Sequence, residues 1–517
     1  MSDLKRRMAS GAAWLVLFRL TDRGIGFIST LILARLLVPA DFGLVAMGTS
    51  ILAALELLGA FSFDIALIQN QRAERRHYDT AWTFAVLFGC INAVGMCLLA
   101  APAVGFFNEP RVEGLMYALA LCTLIQGFDN VGIVAFQKDL ELHKEFWFGL
   151  AKKLIGFVVT ITAAFTLHSF WALVCGMLAL RVTSLGLSYA LHPYRPRLSL
   201  AAAGELFGFS KWLLLNNLLI FLNNRGTDFV VGRASGAGAL GLYSISYELA
   251  NLPTTELVHP ISRAVFPGYS RLAADLTQLR LAFLQVISLV ALLTVPAGAL
   301  IGLVAEPLVL LLLGAKWMGA VPLIQVLAVF GVVRSLHGPN GSIYLALGKP
   351  RIIAALQCVQ LFIAIALMLY LVPRFGPIGA AWALLTGACV AMSSNYVMVL
   401  HELKLPFLQL MAAGWRPLLA ALAMALGVSE LDGLVWPSAG AAGVSANAVR
   451  LVALSAAGLA CYVATVSACW MLAGRPVGAE SQLVSLLASR LRPARKTSQL
   501  NLGESIGKDA AGTKDLR

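Results

Sequence analysis

Fourteen apolar stretches, each long enough to cross a bilayer, follow one another along this chain with only short polar connections between them. They cover about 11–36, 42–69, 80–105, 113–136, 147–168, 170–191, 209–232, 240–267, 281–304, 320–346, 352–373, 377–400, 416–435 and 449–472. In hydrocarbon every backbone polar group must be satisfied internally, so the expected fold is an all-α polytopic membrane protein. Composition agrees: 13% of the 517 residues are charged and the mean hydropathy is +0.81, against about 25% charged residues in soluble domains. No soluble domain fits between the stretches before the tail that follows Arg475.

A weak internal repeat divides the chain. Displaced by 198 positions, Trp14 falls on Trp212, Leu15 on Leu213, Leu17 on Leu215 and Leu20 on Leu218. In the same ungapped register Arg35 falls on Arg233, Gly43 on Gly241 and Leu44 on Leu242. Leucine matches are cheap in an apolar chain, but the Trp, Arg and Gly matches are not. Two similar six-helix lobes in pseudo-twofold arrangement around a central cavity are expected, with two extra C-terminal helices. The corresponding organisation is an N-terminus over 1–10, a first lobe over 11–191, a linker over 192–208 and a second lobe over 209–400. Spans thirteen and fourteen occupy 401–473, Ala-rich and without strong polar punctuation, and a basic tail expected to be disordered occupies 474–517.

Charge sets the expected orientation. With the N-terminus inside, nineteen Lys and Arg fall on cytoplasmic connections and the tail adds eight, while the other side carries six. An even number of spans with both termini cytoplasmic fits that asymmetry. The net charge of +13 is explained the same way and does not imply nucleic acid. Lys5, Arg6 and Arg7 before an apolar run imitate a signal peptide, but Arg19, Asp22 and Arg23 interrupt it, so cleavage is not expected. All eight cysteines lie in apolar runs without a CxxC, which reads as core packing; no metal or cofactor is expected.

Charges inside the spans are the candidate chemistry. Arg19, Asp22 and Arg23 lie at i, i+3 and i+4 on one helix face, roughly 15 Å into the membrane. An ionised Arg facing lipid there costs about 2.5–3.5 kcal/mol, so the face belongs in a protein-lined cavity. Two cations beside one Asp leave a positive surplus suited to an anion. Arg181, Arg225, Arg263 and Arg334 are the other cations within spans: Arg181 reads as a structural ion pair, and Arg225 as a local partner of Asp228. The acids are Asp22, Glu56, Asp64, Asp129, Asp228 and Glu248. Glu56 is expected to neutralise Arg19 or Arg23, or to bind a coupling proton or sodium.

Spans seven and eight carry facing polar stripes: Asn217, Asn224 and Asp228 on one, Tyr243, Tyr247 and Asn251 on the other. Asn and Tyr suit hydroxyl-rich ligands, although interhelical hydrogen bonding explains such stripes equally well. Pro253, Pro260 and Pro267 should bend span eight. There is no GxxxxGK[ST], no HExxH, and no long loop with paired carboxylates near a His. P-loop ATP hydrolysis is therefore excluded, and a membrane polymerase or glycosyltransferase is disfavoured.

The stretch LARLLVPADFGLVAM (Leu33 to Met47), with PLVLLLLGAKWMGAVPLIQVLAVFG (Pro307 to Gly331), resembles the Wzx-type oligosaccharide flippases of the polysaccharide transporter family. That family lies within the multidrug/oligosaccharidyl-lipid/polysaccharide exporter superfamily. The resemblance spans about residues 5–475. It implies two lobes in a V with alternating access, and a non-enzymatic flippase for polyprenyl-diphosphate-linked oligosaccharides of exopolysaccharide, O-antigen or capsule, located in a bacterial inner membrane. Membrane lipid is an implied partner, with a polysaccharide polymerase and a chain-length regulator beside it. Lipid II flippases line the first-lobe cavity with arginines, and Arg19 and Arg23 occupy a similar place. The expected diphosphate site is Arg19, Arg23, Arg263 and Arg334. The expected sugar site is Asn217, Asn224, Tyr243, Tyr247 and Asn251, with Asp22, Glu56 and Asp228 as counter-ions or coupling groups. A drug or cation antiporter of the same superfamily is the competing reading, and it should carry an acidic surplus at mid-depth.

Overall fold

The computed structural model describes residues 2–57, 67–68, 70, 73–204, 211–436, 443–476 and 478–481, with side chains except at 2–9, 12, 211–216, 219–220 and 259. Asp64 and the side chain of Trp212 fall outside the described residues. The first lobe holds α1 (Ser2–Leu36), α2 (Pro39–Glu56), α3 (Arg75–Phe107), α4 (Arg111–Gly127), α5 (Leu142–Leu167) and α6 (Trp171–Leu191). The second holds α7 (Lys211–Pro253), α8 (His259–Leu272), α9 (Leu276–Leu303), α10 (Ala305–Leu312), α11 (Val321–His337), α12 (Asn340–Ala346), α13 (Pro350–Phe375) and α14 (Pro377–Leu403). The two extra helices are α15 (Phe407–Val435) and α16 (Val444–Leu472).

Among the described residues, nine helical segments are long and apolar enough to cross a bilayer, and α4 with its continuation Val131–Lys138, bent by 67°, makes a tenth. Helices α1, α2 and α7 fall short of that test. In α1 and α7 the reason is the polar faces that the sequence marks as functional. α7 is two helices joined at Gly236, whose φ of 78° only glycine adopts without strain. Two of the three prolines of span eight mark breaks in the regular helix, while Pro267 lies inside α8. Pro253 ends α7, a π-turn follows over Thr254–Val258, and Pro260 opens α8.

Contacts within the lobes repeat. α3 packs on α4 and α5 on α6 in the first lobe; α9 packs on α11 and α13 on α14 in the second. Between the lobes the main contact is α2 against α7. It is built on the repeated glycines. A Cβ on Gly43 would stand 1.7 Å from the Ala237 carbonyl oxygen, and a Cβ on Gly241 would stand 1.8 Å from that of Pro39. Pro39 and Ala237 are themselves related by the repeat, so each half touches the other through equivalent atoms, as a twofold requires.

The repeated arginines obey the same reciprocity. Arg35 donates to the carbonyls of Leu310 at 3.1 Å, Leu312 at 3.2 Å and Leu311, at the C-terminus of α10. Arg233 donates to the carbonyls of Phe106 at 2.8 Å and Gly105 at 3.3 Å, at the C-terminus of α3. Each guanidinium thus caps a helix of the opposite lobe, where free carbonyls and the helix dipole favour a cation. Trp317 adds a bond from Nε1 to the Ala34 carbonyl at 2.8 Å, and Lys316 one to the Arg35 carbonyl at 2.8 Å. One end of the molecule is therefore closed.

Away from that end a further bond joins the lobes, from Ser50 to Asp228 Oδ2 at 2.7 Å. Beyond it lies an open recess of about 310 Å³ lined by Glu56, Asn217, Phe221, Asn224 and Arg225. The chain after α6 is held on the first lobe: Arg197 N donates to Asp79 at 3.0 Å and Ser199 N to Thr83 at 2.9 Å.

Spans thirteen and fourteen carry more polar structure than their composition suggests. Buried Arg450 donates to both oxygens of Asp432 at 2.7 Å and to Glu306 at 2.9 Å, tying α16 to α15 and α10. Arg416 pairs at 2.9 Å with Glu480, both buried, so the region assigned to the tail begins as packed chain. The sequence does not show these pairs because the partners lie on different segments, 18 to 144 residues apart.

The glycine contact leaves no room for a methyl group. Gly43→Ala or Gly241→Ala should destabilise this conformation by about 1–3 kcal/mol, the usual range for overpacking. A purified Gly43→Ala protein with an unchanged melting temperature would contradict this packing.

Candidate functional site

Two polar cavities flank the recess, one in each lobe. The first-lobe cavity, about 440 Å³, is lined by Glu56, Asn92, Thr123, Gln126, Asp129 and Asn130 among others. It exists because α4 breaks after Gly127: the chain bends away and leaves Asp129 and Asn130 facing inward. Asp129 Oδ2 accepts from Ser184 at 2.9 Å, while its Oδ1 has no partner. The second-lobe cavity, about 400 Å³, is lined by Asn223, Asn224, Tyr247, Arg334, His337, Gln357, Gln360 and Asn395, with Phe330 and Tyr344.

The four arginines expected to hold a diphosphate are not brought together. Arg19 is exposed and has no partner among the described residues. Arg23 reaches Glu256 in the π-turn of the other lobe at 3.1 Å; the two side chains are 54% and 46% exposed. Arg263 is exposed on α8 and lines neither cavity. Arg334 belongs to the second-lobe cavity, where its Nη1 donates to the Tyr247 hydroxyl at 2.8 Å.

The counter-ion assignments also change. Asp22 pairs with Lys153 at 3.0 Å and not with Arg19 or Arg23. Glu56 ends α2 near the fields of Arg181 and Arg225, away from the arginines of α1. Arg181 has no carboxylate within ion-pair distance among the described residues; it lies instead among Glu56, Asp129 and Lys152. The pair of Arg225 with Asp228 forms as expected, at 3.3 Å.

Of the two polar stripes, Asn224 and Tyr247 line the second-lobe cavity and Asn217 the recess. Tyr243 and Asn251 are buried, 3% and 3% exposed, and line neither. Residues four apart on a helix drift by about 40° per step, so a stripe of three cannot keep all its members on one narrow wall. Asn251 turns its amide back to the Tyr247 carbonyl at 2.9 Å.

Sequence reasoning missed Lys152 and Lys153, which it counted as cytoplasmic. Helix α5 begins at Leu142, which sets both lysines roughly 15 Å along it. It also missed His337, Gln357, Gln360 and Asn395. The i, i+3 spacing of Gln357 and Gln360 in the apolar α13 was the available signal. The first-lobe helices carry Arg19, Arg23, Lys152, Lys153 and Arg181, but among the described residues the lining of the first-lobe cavity holds two carboxylates, Glu56 and Asp129, and no cation, whereas that of the second-lobe cavity holds one Arg and no carboxylate.

Residues 32–322 match the family described as polysaccharide biosynthesis protein. Over 425 residues the chain is 27% identical to the lipopolysaccharide biosynthesis protein WzxC of Escherichia coli (strain K12), covering 80% of this chain and 85% of that protein. It is 22% identical over 437 residues to the succinoglycan biosynthesis transport protein ExoT of Rhizobium meliloti (strain 1021), covering 82% and 87%. The fold is shared with the lipid II flippase MurJ in an inward closed conformation. The TM-score is 0.69 at 12% identity, over 88% of this chain and 99% of the other.

Arg23 and Glu256 form an exposed pair, so their coupling in a double-mutant cycle should be under about 1 kcal/mol. A coupling of several kcal/mol in thermal unfolding would mean that Arg23 is locked in structure and not available to a ligand.

Proposed function

The chain belongs to the polysaccharide biosynthesis protein family, and on that premise we propose that it flips polyprenyl-diphosphate-linked oligosaccharides across the bacterial inner membrane by alternating access. The observation that carries this reading is the set of cations on the first-lobe helices, Arg19, Arg23, Lys152, Lys153 and Arg181, beside a recess between lobes that are joined at one end. A diphosphate bears at least one negative charge per phosphate, and guanidinium forks bind phosphate oxygens bidentately. Arg19 is the first contact, being exposed and without a partner among the described residues. Arg23 follows once it leaves Glu256, an exchange that an exposed ion pair permits at small cost. Lys152, Lys153 and Arg181 extend the positive field into the first lobe.

The sugars then meet Asn217 in the recess and Asn224 and Tyr247 beyond it, while the lipid tail stays in the bilayer between the lobes. No covalent chemistry is assigned to the protein. Its ligand moves only if it binds one state better than the other, and a coupled ion must reset the cycle. Glu56 and Asp129, two carboxylates on one water-accessible cavity, are the groups for that step. A polymerase and a chain-length regulator would take the product on the far side. An antiporter for cations is the competing reading, and it predicts transport that survives loss of the arginines.

Two measurements test the proposal. In cells that depend on this chain for polymer export, Arg19→Gln at normal membrane level should lower export about tenfold, the worth of one charge-assisted hydrogen bond, and Arg19→Lys should restore part of it. Export at the normal rate by Arg19→Gln would remove the diphosphate role. With both termini cytoplasmic, a reporter fused after Arg475 should be active only in the cytoplasm, and periplasmic activity would reverse the topology.

A further inference from the structure

The second-lobe cavity holds one cation, Arg334, that no carboxylate of the lining neutralises among the described residues. Arg334 donates to the Tyr247 hydroxyl and has no carboxylate partner among the described residues. A guanidinium carries five N–H donors, and one of them is used here. His337, one turn further on the same helix, has its Nε2 enclosed and unpartnered. The other polar residues of the lining are amides: Asn223, Asn224, Gln357, Gln360 and Asn395. In a membrane-embedded lobe an uncompensated guanidinium is costly, and a lining that supplies no counter-ion leaves that role to a ligand.

We propose that this cavity is a subsite for a sugar that carries a carboxylate, such as a hexuronic acid residue, with Arg334 binding the carboxylate. This rests on the flippase reading above and narrows it to acidic oligosaccharides. Three features favour a sugar carboxylate over the diphosphate. The cavity offers a single positive charge, which matches one carboxylate and falls short of a diphosphate. The cations that could meet two phosphates stand in the first lobe, on α1, α5 and α6. The five amides donate and accept, as ring hydroxyls require, and Phe330 and Tyr247 provide apolar faces for a sugar ring, their own rings lying 6.1 Å apart. The volume of about 400 Å³ is within the usual small-molecule range and admits roughly one or two sugar rings. Tyr247 positions the guanidinium through its hydroxyl, and Asn395 is itself held by the Tyr344 hydroxyl at 3.1 Å.

The test uses the purified full-length protein and two trisaccharides, trigalacturonate and its fully methyl-esterified form, compared by calorimetric titration. The acid should bind at least about tenfold more tightly than the ester, because only the acid pairs with Arg334. Arg334→Gln should abolish the preference, and Arg334→Lys should keep part of it. Gln360→Glu adds a carboxylate to the same lining; it should weaken binding of the acid and spare the ester, which supports the assignment even if the Arg334 variants do not fold. Equal binding of acid and ester by the native chain, or a preference that survives Arg334→Gln, overturns the inference. So does inorganic pyrophosphate that displaces trigalacturonate and loses its own binding in Arg334→Gln, since the cavity would then serve the diphosphate. Pyrophosphate binding that depends on Arg19 tests the flippase reading in the same preparation, so the two can fail separately.

Discussion

Two glycines, Gly43 on α2 and Gly241 on α7, let the backbones of the two lobes touch, and the rest of the architecture hangs from that contact. Between membrane helices there is no hydrophobic driving force against lipid, so close packing through small residues is a principal source of association. At this crossing any side chain would collide with a carbonyl oxygen of the other lobe. The contact sits near the start of α2 and near the joint of α7 at Gly236. Helices that touch at one end and lean apart leave a recess at the other, and the recess is where Glu56, Asn217, Asn224 and Arg225 are found. Closure of one face and opening of the opposite face are two consequences of the same crossing.

The lobes share a frame but not a chemistry. The first lobe lines the cavity at the break in α4 with two carboxylates, Glu56 and Asp129, and with amides, and carries its cations elsewhere on its helices. The second offers amides, aromatic rings and one guanidinium. Duplication of a six-helix unit supplies the symmetry, and divergence of the side chains that face the cleft supplies two unlike walls. A ligand with a charged end and a hydroxyl-rich body can satisfy both walls at once only when the lobes stand at the right separation. That makes its binding energy depend on the conformation, which is the condition for a ligand to shift the equilibrium between states.

Much of this was legible in the sequence, for stated reasons. The apolar runs and the 198-residue repeat marked the lobes and identified Arg35, Arg233, Gly43 and Gly241 before any coordinates. The pattern could not say that the glycines face each other or that the arginines cross between lobes, because both are contacts between residues far apart in the chain. The ion pairs were misread for the same reason. Asp22 was assigned to its sequence neighbours, Arg19 and Arg23, but a lysine on α5 lies closer in space. Lys152 and Lys153 lie inside the fifth span, 147–168, yet their closeness to its start puts them in the cytoplasmic tally, and Tyr243 and Asn251 leave the cavity walls by a helical drift that carries them into the core. Local pairs such as Arg225 with Asp228 were read correctly, since a separation of three residues on one helix nearly determines the contact.

The closed end combines two kinds of interaction that respond differently to opening. The glycine crossing is apolar and buried, and separating it replaces protein contacts by lipid or water. The Arg35 and Arg233 bonds are exposed, so separating them exchanges carbonyl partners for water at a net cost of about 0.5–1.5 kcal/mol each. Because the arginines lie at the rim, water reaches them first, and their bonds can be replaced one at a time while the glycines still touch. The arginines contribute register: each is matched to the carbonyl end of one helix in the opposite lobe, so the lobes can re-close in one alignment only. A transporter that alternates between states needs a contact that separates readily and re-forms in the same place, and the division of labour between glycine and arginine meets both needs.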